Sequence, residues 1–418
     1  GSGSTISLNH RNGVIATAGE NSPAVVLQSI GGGGGWSLLG SKTRSTLGGS
    51  SLTNGSGAQI DVSITSDVVT AGNSAPALVL QSIGGGGGYA GNASGDVQLG
   101  AINSSGNLSG GAINLSIRGN LQTSGNNAPV VLLQSIGGGG GRNANVGGNA
   151  SLGLSNAADT ATVNASAGAI TASIAASSDG LSSLGDESPA LVAQSIGGGG
   201  GMVSSVGGNA LLQGSGSGNL SGNSVSVTSR SMVRTAGNSS SALLAQSIGG
   251  GGGAASVVGG QTIKLGADSN GTANAATVSV TTGKLVSTIG SNSAAIIAQS
   301  IGGSGGIAYT DQGSVILGGN LNGQANAGNV TVTTLNSSKV LTSGESSVAI
   351  VAQSIAGGGG VVGGTGSGSS AAVRLGGSGN QQGGSGSVSV NLANKGLVQT
   401  TGNQSPAVIA QSIGGGGG

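Results

Sequence analysis

The sequence predicts an all-β chain that folds as a repetitive β-solenoid with parallel strands. Three observations support this prediction: the letters QSI followed by a glycine-rich run recur eight times, short apolar alternations precede them, and glycine supplies 93 of 418 residues. Glycine at about every fifth position disfavours helices, because each one costs about 1 kcal/mol relative to alanine in a helix interior. Internal repeats of 20 to 50 or so residues are typical of solenoids, propellers and arrays.

The glutamine of QSI marks the period of the array. It recurs at intervals of 53, 53, 60, 52, 53, 54 and 58 residues: Gln28, Gln81, Gln134, Gln194, Gln246, Gln299, Gln353 and Gln411. These intervals define a single array, which we expect to be a window cut from a longer one, with repeats at 1–35 (partial), 36–88, 89–141, 142–201, 202–253, 254–306, 307–360 and 361–418. At the usual strand lengths, we expect each repeat to form two or three coils.

Each repeat contains four predicted strands, of which three precede the QSI run. A short segment such as VQLG (97–100) comes first, and an alternating segment such as INLSI (113–117) follows. A pattern apolar-x-Thr/Ser-x-Gly then ends nine residues before each glutamine, as at Gly72. Period-two spacing stopped by glycine indicates a strand that runs into a turn. Length differences fall in Gly-, Ser- and Asn-rich stretches such as 100–112 and 376–386, which we interpret as loops.

The fourth predicted strand is the apolar run that ends in QSI. All five prolines stand just before this run, where the first strand position loses no interior ladder bond: Pro23, Pro76, Pro129, Pro189 and Pro406. Both faces of the run are largely apolar, as Val26 and Ile30 on one face and Val25 and Leu27 on the other illustrate. Strands covered on one face only would alternate. We therefore expect this strand to be covered on both faces, by another part of the chain or by a neighbouring molecule, and we favour lateral association between solenoids as the cover.

The glycine run after QSI is predicted to be ordered and packed against backbone. Ordering five glycines costs roughly 5–10 kcal/mol in backbone entropy, so an ordered run needs compensating contacts. Without Cβ atoms, glycines can approach and hydrogen-bond to their copies in other repeats, and a mobile loop is the alternative. The glutamines are expected to stack their amides along the axis, or else only to close the strand. Besides the eight glutamines, the predicted structural motif comprises the central glycines: Gly33, Gly86, Gly139, Gly199, Gly251 and Gly416.

The residue types give little support to catalysis, cofactor binding or nucleic-acid binding. His10 is the only histidine and cysteine is absent, so the chain cannot supply a cluster of Cys or His metal ligands. Asp186 and Glu187, the only adjacent acids, are predicted to lie in a turn. The twelve basic and eleven acidic residues include no basic cluster that could neutralise a run of phosphates. We therefore expect a non-enzyme without a cofactor or metal that does not bind nucleic acid.

Apolar runs reach about six residues, far short of the roughly 20 that a membrane-spanning helix needs. We therefore expect no membrane-spanning segment in this part of the chain. Tight Asn-Gly hairpin signals are missing between the main strands, which favours parallel pairing.

The segments SPAVVLQSIGGGGG (22–35) and SALLAQSIGGGGG (241–253) resemble the glycine-rich repeats in the passenger regions of very large Gram-negative autotransporter and filamentous-adhesin-like proteins. The resemblance implies a right-handed parallel β-helix that is exported through the outer membrane and displayed as a long stalk or fibre. It carries over no catalytic residue, because the shared segments are scaffold. On this resemblance we expect an extracellular structural or adhesive region that associates with copies of itself, laterally or end to end, and contacts other cell surfaces or polysaccharide.

Two other functions stay open from the sequence. An ice- or polysaccharide-binding solenoid would present a flat array of Thr or aromatic residues. Thr331 and Thr333 of VTVTT form one such row, whereas INLSI has no Thr at the matching place. An enzyme built on a β-helix would need acids or bases clustered in one groove, and the eleven carboxylates are scattered along the chain.

Overall fold

A computed structural model describes most of the chain. The described residues are 1–37, 44–49, 55–100, 106–154, 162–175, 179–214, 216–257, 261–266, 268, 271–310, 313–320, 322–364, 372–378 and 382–418. Within them every regular element is a strand, and every strand pair is parallel. The predicted all-β parallel solenoid is therefore confirmed. None of the described segments is a helix long and apolar enough to cross a membrane.

Five long sheets run the length of the solenoid, and we name them A to E in the order in which the chain visits them. Sheet A comprises Ile6–His10, Ile60–Ile64, Ile113–Ile117, Ile170–Ile174, Val225–Ser229, Val278–Thr282, Val330–Thr334 and Val388–Leu392. Sheet B comprises Ile15–Thr17, Val68–Thr70, Leu121–Thr123, Leu181–Ser183, Val233–Thr235, Leu285–Thr288, Lys339–Thr342 and Leu397–Thr400. Sheet C comprises Val25–Ile30, Leu78–Ile83, Val131–Ile136, Leu191–Ile196, Leu243–Ile248, Ile296–Ile301, Ile350–Ile355 and Val408–Ile413.

The two remaining long sheets have seven strands each. Sheet D comprises Gly34–Ser37, Gly87–Ala93, Gly140–Val146, Gly200–Val206, Gly252–Val257, Gly305–Thr310 and Gly359–Gly363. Sheet E comprises Ser45–Leu47, Val97–Leu99, Ala150–Leu152, Ala210–Leu212, Ile263–Leu265, Val315–Leu317 and Val373–Leu375. A short additional pair joins Gly106–Asn107 to Val163–Asn164, inside the stretch 100–112 that the sequence predicts to be a loop. Of the two predicted loops, residues 101–105 and 379–381 lie outside the described part.

Each repeat forms one coil, so the expectation of two or three coils per repeat is wrong. Every long-sheet strand pairs with its counterpart one full repeat away, as Gln28 pairs with Gln81 and Ile60 with Ile113. The usual strand length suggested smaller coils, but five short strands with their turns use up the whole repeat in a single circuit. We number the coils 1 to 8 by their strand in sheet A. At about 4.8 Å per strand, the eight coils rise about 34 Å from the first to the last.

The coil is filled by layers of sheets rather than by one central core. The inward residues of sheets A and B, such as Ile60 and Val68, pack against Leu78 and Leu80 on one face of sheet C. Val79, on the other face of sheet C, packs in a second cluster with sheet D. Sheet D in turn packs against sheet E, where Val97 and Leu99 are buried. The small aliphatic residues suffice because each core is only two sheets thick.

Sheet C is therefore covered on both faces by its own chain. The sequence analysis favours lateral association with a neighbouring solenoid as the cover for these apolar faces, and that expectation is wrong, because the chain covers them itself. All six residues of the strand Leu78–Ile83 are buried between sheets A and D. No second copy is needed to cover this strand.

Two details of the sequence prediction need correction. Sheet D was missed altogether, because its strands begin within the glycine runs, as Gly87–Ala93 does. Glycine is depleted in strands, so the runs indicated an end of the strand rather than the start of another. The prolines lie two residues ahead of sheet C, as Pro76 precedes Leu78, and not at the first strand position. Their carbonyls still serve the ladder, since Pro76 accepts from the N–H of Ala24 at 3.1 Å.

Candidate functional site

The repeat glutamines form one continuous ladder inside the solenoid. Each Nε2 donates to the Oε1 of the next glutamine, at 2.7 Å from Gln28 to Gln81 and 2.8 Å from Gln81 to Gln134. The bond recurs at every later step as far as Gln411. Like positions therefore lie on one side of the solenoid, as predicted. The amides stack along the axis, and the alternative in which glutamine only closes the strand does not describe them.

A second hydrogen bond ties the ladder to sheet D. Nε2 of Gln81 also donates to the carbonyl of Gly88 at 3.2 Å, and Nε2 of Gln134 donates to Gly141 at 3.1 Å. Both amide hydrogens are used in this way, and Oε1 accepts from the preceding glutamine. An orphaned buried polar group would cost about 1–3 kcal/mol, so the complete ladder removes a large penalty. It also fixes the register, because a slip of one residue would turn each glutamine to the opposite face.

The serine after each glutamine points to the other face and joins two coils. Oγ of Ser82 donates to the carbonyl of Ala58 at 2.8 Å and accepts from the N–H of Gly111 at 2.7 Å. Ser135 and Ser300 repeat this arrangement with the corresponding segments. Ala58 and Gly111 belong to the segments that lead into sheet A in two successive coils. The serine therefore holds these lead-in segments against the end of sheet C.

The glycine runs are ordered arches between sheets C and D. In the third run, φ is +82° at Gly138, +88° at Gly139, +127° at Gly140 and +132° at Gly141. The same succession of positive φ values recurs in the other seven runs. Residues with a Cβ rarely adopt such values. The backbone path of the arch therefore favours glycine before any contact is considered.

Close approach between coils adds a second requirement at the last two arch positions. A Cβ on Gly140 would lie 2.0 Å from the carbonyl oxygen of Gly200, and one on Gly141 would lie 2.0 Å from that of Gly88. The arches also bond to one another, since the N–H of Gly139 donates to the carbonyl of Gly84 at 2.6 Å. The runs are thus packed against backbone, as the sequence predicts, and are not open loops.

The central glycines of the runs are less uniform than the last two positions. A Cβ on Gly139 would lie 2.6 Å from Cα of Gly100, whereas one on Gly33 would meet nothing closer than 3.7 Å. The remaining predicted central positions would bring a Cβ to between 2.6 and 3.0 Å of backbone atoms: Gly86, Gly199, Gly251 and Gly416. In the sixth run this place is taken by Ser304, at φ 91°, whose Oγ donates to the carbonyl of Gly250 at 2.9 Å. A small side chain is accepted there when it finds a partner.

A buried arginine marks the most unusual polar environment of the interior. The guanidinium of fully buried Arg142 donates to the hydroxyl of Tyr89 at 2.9 Å, to Oγ of Ser204 at 3.2 Å and to the carbonyl of Asn127. Burial lowers the pKa of Arg142, while Tyr89 and then the charge of Glu187 act in the opposite direction. Burial raises the pKa of the Tyr89 hydroxyl. These groups bond to one another rather than face a cleft, so we assign them to packing.

The outward face of sheet A carries two columns of short polar side chains. One column contains Ser7, Asp61, Asn114, Thr171, Ser226, Ser279, Thr331 and Ser389. The other contains Asn9, Ser63, Ser116, Ser173, Thr228, Thr281, Thr333 and Asn391. Asn114 and Ser116 stand where VTVTT has threonine, as the sequence indicated, but they too are polar. We call these two columns the hydroxyl face.

Exposed cations gather beside this face in coils 5 to 8, at the corner between sheets A and B and in the first two strand positions of sheet B. We call them the basic ridge: Arg230, Arg234, Lys284, Lys339 and Lys395. The sequence does not reveal them as a cluster, because Arg230, Lys284, Lys339 and Lys395 lie 54 to 56 residues apart and only the one-coil repeat brings them to one region. The signal that could have revealed them is their recurrence just after the alternating segment of each late repeat.

The remaining candidate residues do not converge on a chemical site. His10 contacts the carbonyl of Gly13 at 3.1 Å through Nε2, and Asp186 and Glu187 lie in a turn, as predicted. Among the described residues, no group of three or more His, Cys, Asp or Glu is arranged to hold a metal ion. Over the described part of the chain, the geometry presents repeated polar surfaces rather than a cluster of metal-ligating side chains.

Comparison with known proteins adds no relative. Neither a protein-family model, nor a curated protein, nor a solved structure matches this chain.

Proposed function

We propose that this chain is an extracellular structural and adhesive region that forms a rigid stalk or fibre at the surface of a Gram-negative bacterium. The observation that carries the proposal is the unbroken glutamine ladder, which runs through all eight coils with both amide hydrogens used along most of its length. The resemblance of the repeats to autotransporter and filamentous-adhesin passengers supplies the location. The proposal includes no catalysis.

The one-coil repeat changes the kind of stalk that is proposed. With a period of 53 residues, each coil adds only about 4.8 Å of length. Two or three coils per repeat would have given a longer and thinner rod. This chain uses its residues for thickness, with its five sheets stacked in four layers across the coil, so it favours stiffness over reach.

Self-association remains part of the proposal, but on a different ground. The apolar faces of sheet C are buried within the chain, so covering them gives no reason for lateral contact. Copies would instead associate through polar outer surfaces or by stacking coil on coil. Either contact would be weaker and more sensitive to salt than a buried apolar interface.

The test combines shape and location. Negative-stain images of the parent protein are expected to show rods of constant width. Small-angle scattering of the purified chain is expected to show a particle about as thick as it is long, because eight coils rise only about 34 Å, and sedimentation at rising concentration would reveal association. Antibodies against the chain are expected to label intact cells that express the parent protein. Flexible or globular images of the parent protein would contradict the rod, and labelling only after cell lysis would contradict the surface location.

Ice binding is a second candidate, and the threonines of the hydroxyl face favour it. Thr228, Thr281 and Thr333 follow one another in one column of successive coils. An ice-binding solenoid would show thermal hysteresis and faceted ice crystals at micromolar concentration. The absence of both effects would remove this candidate and leave the structural proposal unchanged.

A further inference from the structure

The hydroxyl face changes in charge along the solenoid. In coils 1 to 4 it includes the carboxylate of Asp61. In coils 5 to 8 it is uncharged, and its eight side chains are three serines, four threonines and one asparagine: Ser226, Thr228, Ser279, Thr281, Thr331, Thr333, Ser389 and Asn391. The alternate residues of the same strands, such as Val278 and Val280, point into the core and are fully buried. The outward hydroxyls therefore stand on a rigid backing.

The charges of the corner between sheets A and B, beside this face, change between the same coils. In coils 1 to 4 it alternates in sign, with Arg11, Asp67, Arg118 and Asp179. In coils 5 to 8 it carries the five cations of the basic ridge, and no acid occurs in the corner segments 230–235, 283–285, 335–339 and 393–397, all of which the structure describes. Every ridge side chain is exposed. Uncharged hydroxyls and exposed cations thus coincide over four coils.

We propose that the hydroxyl face of coils 5 to 8, together with the basic ridge, binds a linear acidic polysaccharide. The inference rests on the proposed adhesive function and specifies its partner. Sugar hydroxyls can both donate and accept, and so can the serine and threonine hydroxyls. The carboxylates or sulfates of an acidic chain match the ridge, where each successive coil, about 4.8 Å from the last, contributes one or two cations. Short side chains on a packed sheet lose little rotamer entropy on binding.

Other occupants fit the observations less well. Binding of single-stranded nucleic acid relies on aromatic side chains that stack on bases, and the hydroxyl face of coils 5 to 8 carries none. A second copy would have to offer acids at the spacing of the ridge. The exposed acids of the corner between sheets B and C, Glu20, Asp186 and Glu345, belong to coils 1, 4 and 7 and are about 14 Å apart.

The experiment compares two polymers with one backbone. Polygalacturonate carries a carboxylate on every sugar, and highly methyl-esterified pectin has the same chain with most carboxylates neutralised. Binding of the full chain to each is measured by biolayer interferometry at 50 and 500 mM NaCl. We expect polygalacturonate to bind at least tenfold more tightly than the ester, and the difference to shrink at high salt.

Paired variants locate the site. R230Q/K284Q removes two ridge charges, and R11Q/R374Q removes two exposed charges elsewhere, so net charge falls equally in both. Exposed ion pairs are worth about 0.2–1 kcal/mol each, so the ridge variant is expected to weaken binding roughly 2- to 30-fold while the control changes it less than twofold. T281V/T333V removes two hydroxyls without charge and is expected to weaken binding to both polymers.

Each contrary result has a distinct meaning. Equal binding of the ester, or equal weakening by both charge variants, would overturn the proposal. Equal affinity for double-stranded DNA or for vesicles with anionic phospholipid would show charge attraction alone and would overturn it as well. Small-angle scattering of the same samples separates the two proposals, because loss of glycan binding with the dimensions of the particle unchanged refutes only the partner.

Discussion

Adding one methyl group to the fourth arch position should test why the glycines are there. In Gly140→Ala, the new Cβ would lie 2.0 Å from the carbonyl oxygen of Gly200, at a φ of +127°. Such a contact forces backbone of two coils apart and costs about 1–3 kcal/mol as overpacking. Alanine at this φ adds about 1–3 kcal/mol of strain. The expected loss is therefore about 2–6 kcal/mol, a large share of a typical folding free energy of about 5–15 kcal/mol.

The matched control separates strain from contact. Gly13 has a φ of +88° and open space where its Cβ would be, so Gly13→Ala carries the strain without the clash. Both variants are unfolded in urea and followed by far-ultraviolet circular dichroism. Gly140→Ala is expected to lose at least 1 kcal/mol more than Gly13→Ala. Equal losses would refute close packing as the reason for the glycines and leave only backbone conformation.

Three further changes probe the interior. Gln194→Leu breaks the bonds to Gln134 and Gln246 and is expected to cost about 2–4 kcal/mol in urea unfolding, whereas an unchanged midpoint would mean that the ladder contributes nothing. Asn143→Ala removes a fully buried amide whose Nδ2 and Oδ1 have no hydrogen-bond partner, and the matching positions of the preceding and following coils are Ala90 and Val203. The free energy of unfolding should therefore rise by about 1 kcal/mol, and a lower melting temperature would contradict this. Ala254→Val should partly fill a cavity of about 40 Å³ between Met202 and Ile307 and raise the free energy of unfolding by about 0.5–1 kcal/mol. A lower free energy of unfolding would show that the residues around the cavity cannot accommodate the two added methyl groups.

Much of the fold could be predicted because the same sequence pattern recurs in eight repeats. The alternation in segments such as INLSI and the apolar run before Gln81 identified four of the five strands, and the recurring glutamine implied that like positions stack. Sheet D could not be found in this way, since strands such as Gly87–Ala93 begin with two glycines whose positive φ values no ordinary strand residue adopts. Strand propensity is a poor guide where glycine allows two backbone segments to approach closely.

The number of coils and the surface chemistry needed the structure. A repeat of 53 residues divides equally well into one coil of five strands or several smaller ones, and the alternation alone does not decide. Once the coil is one repeat long, cations as distant in sequence as Arg230 and Lys284 become neighbours. The sequence showed scattered charges because their alignment is a property of the period, not of any local stretch.

The distance between two labels on the hydroxyl face tests the one-coil repeat most directly. Ser63 and Thr333 lie in the same column, five coils apart, and the chain has no cysteine, so S63C/T333C can be spin-labelled at these two sites alone. At about 4.8 Å per coil, double electron–electron resonance should report a separation of about 24 Å. Two coils per repeat would place the labels about 48 Å apart, and that distance would contradict the account.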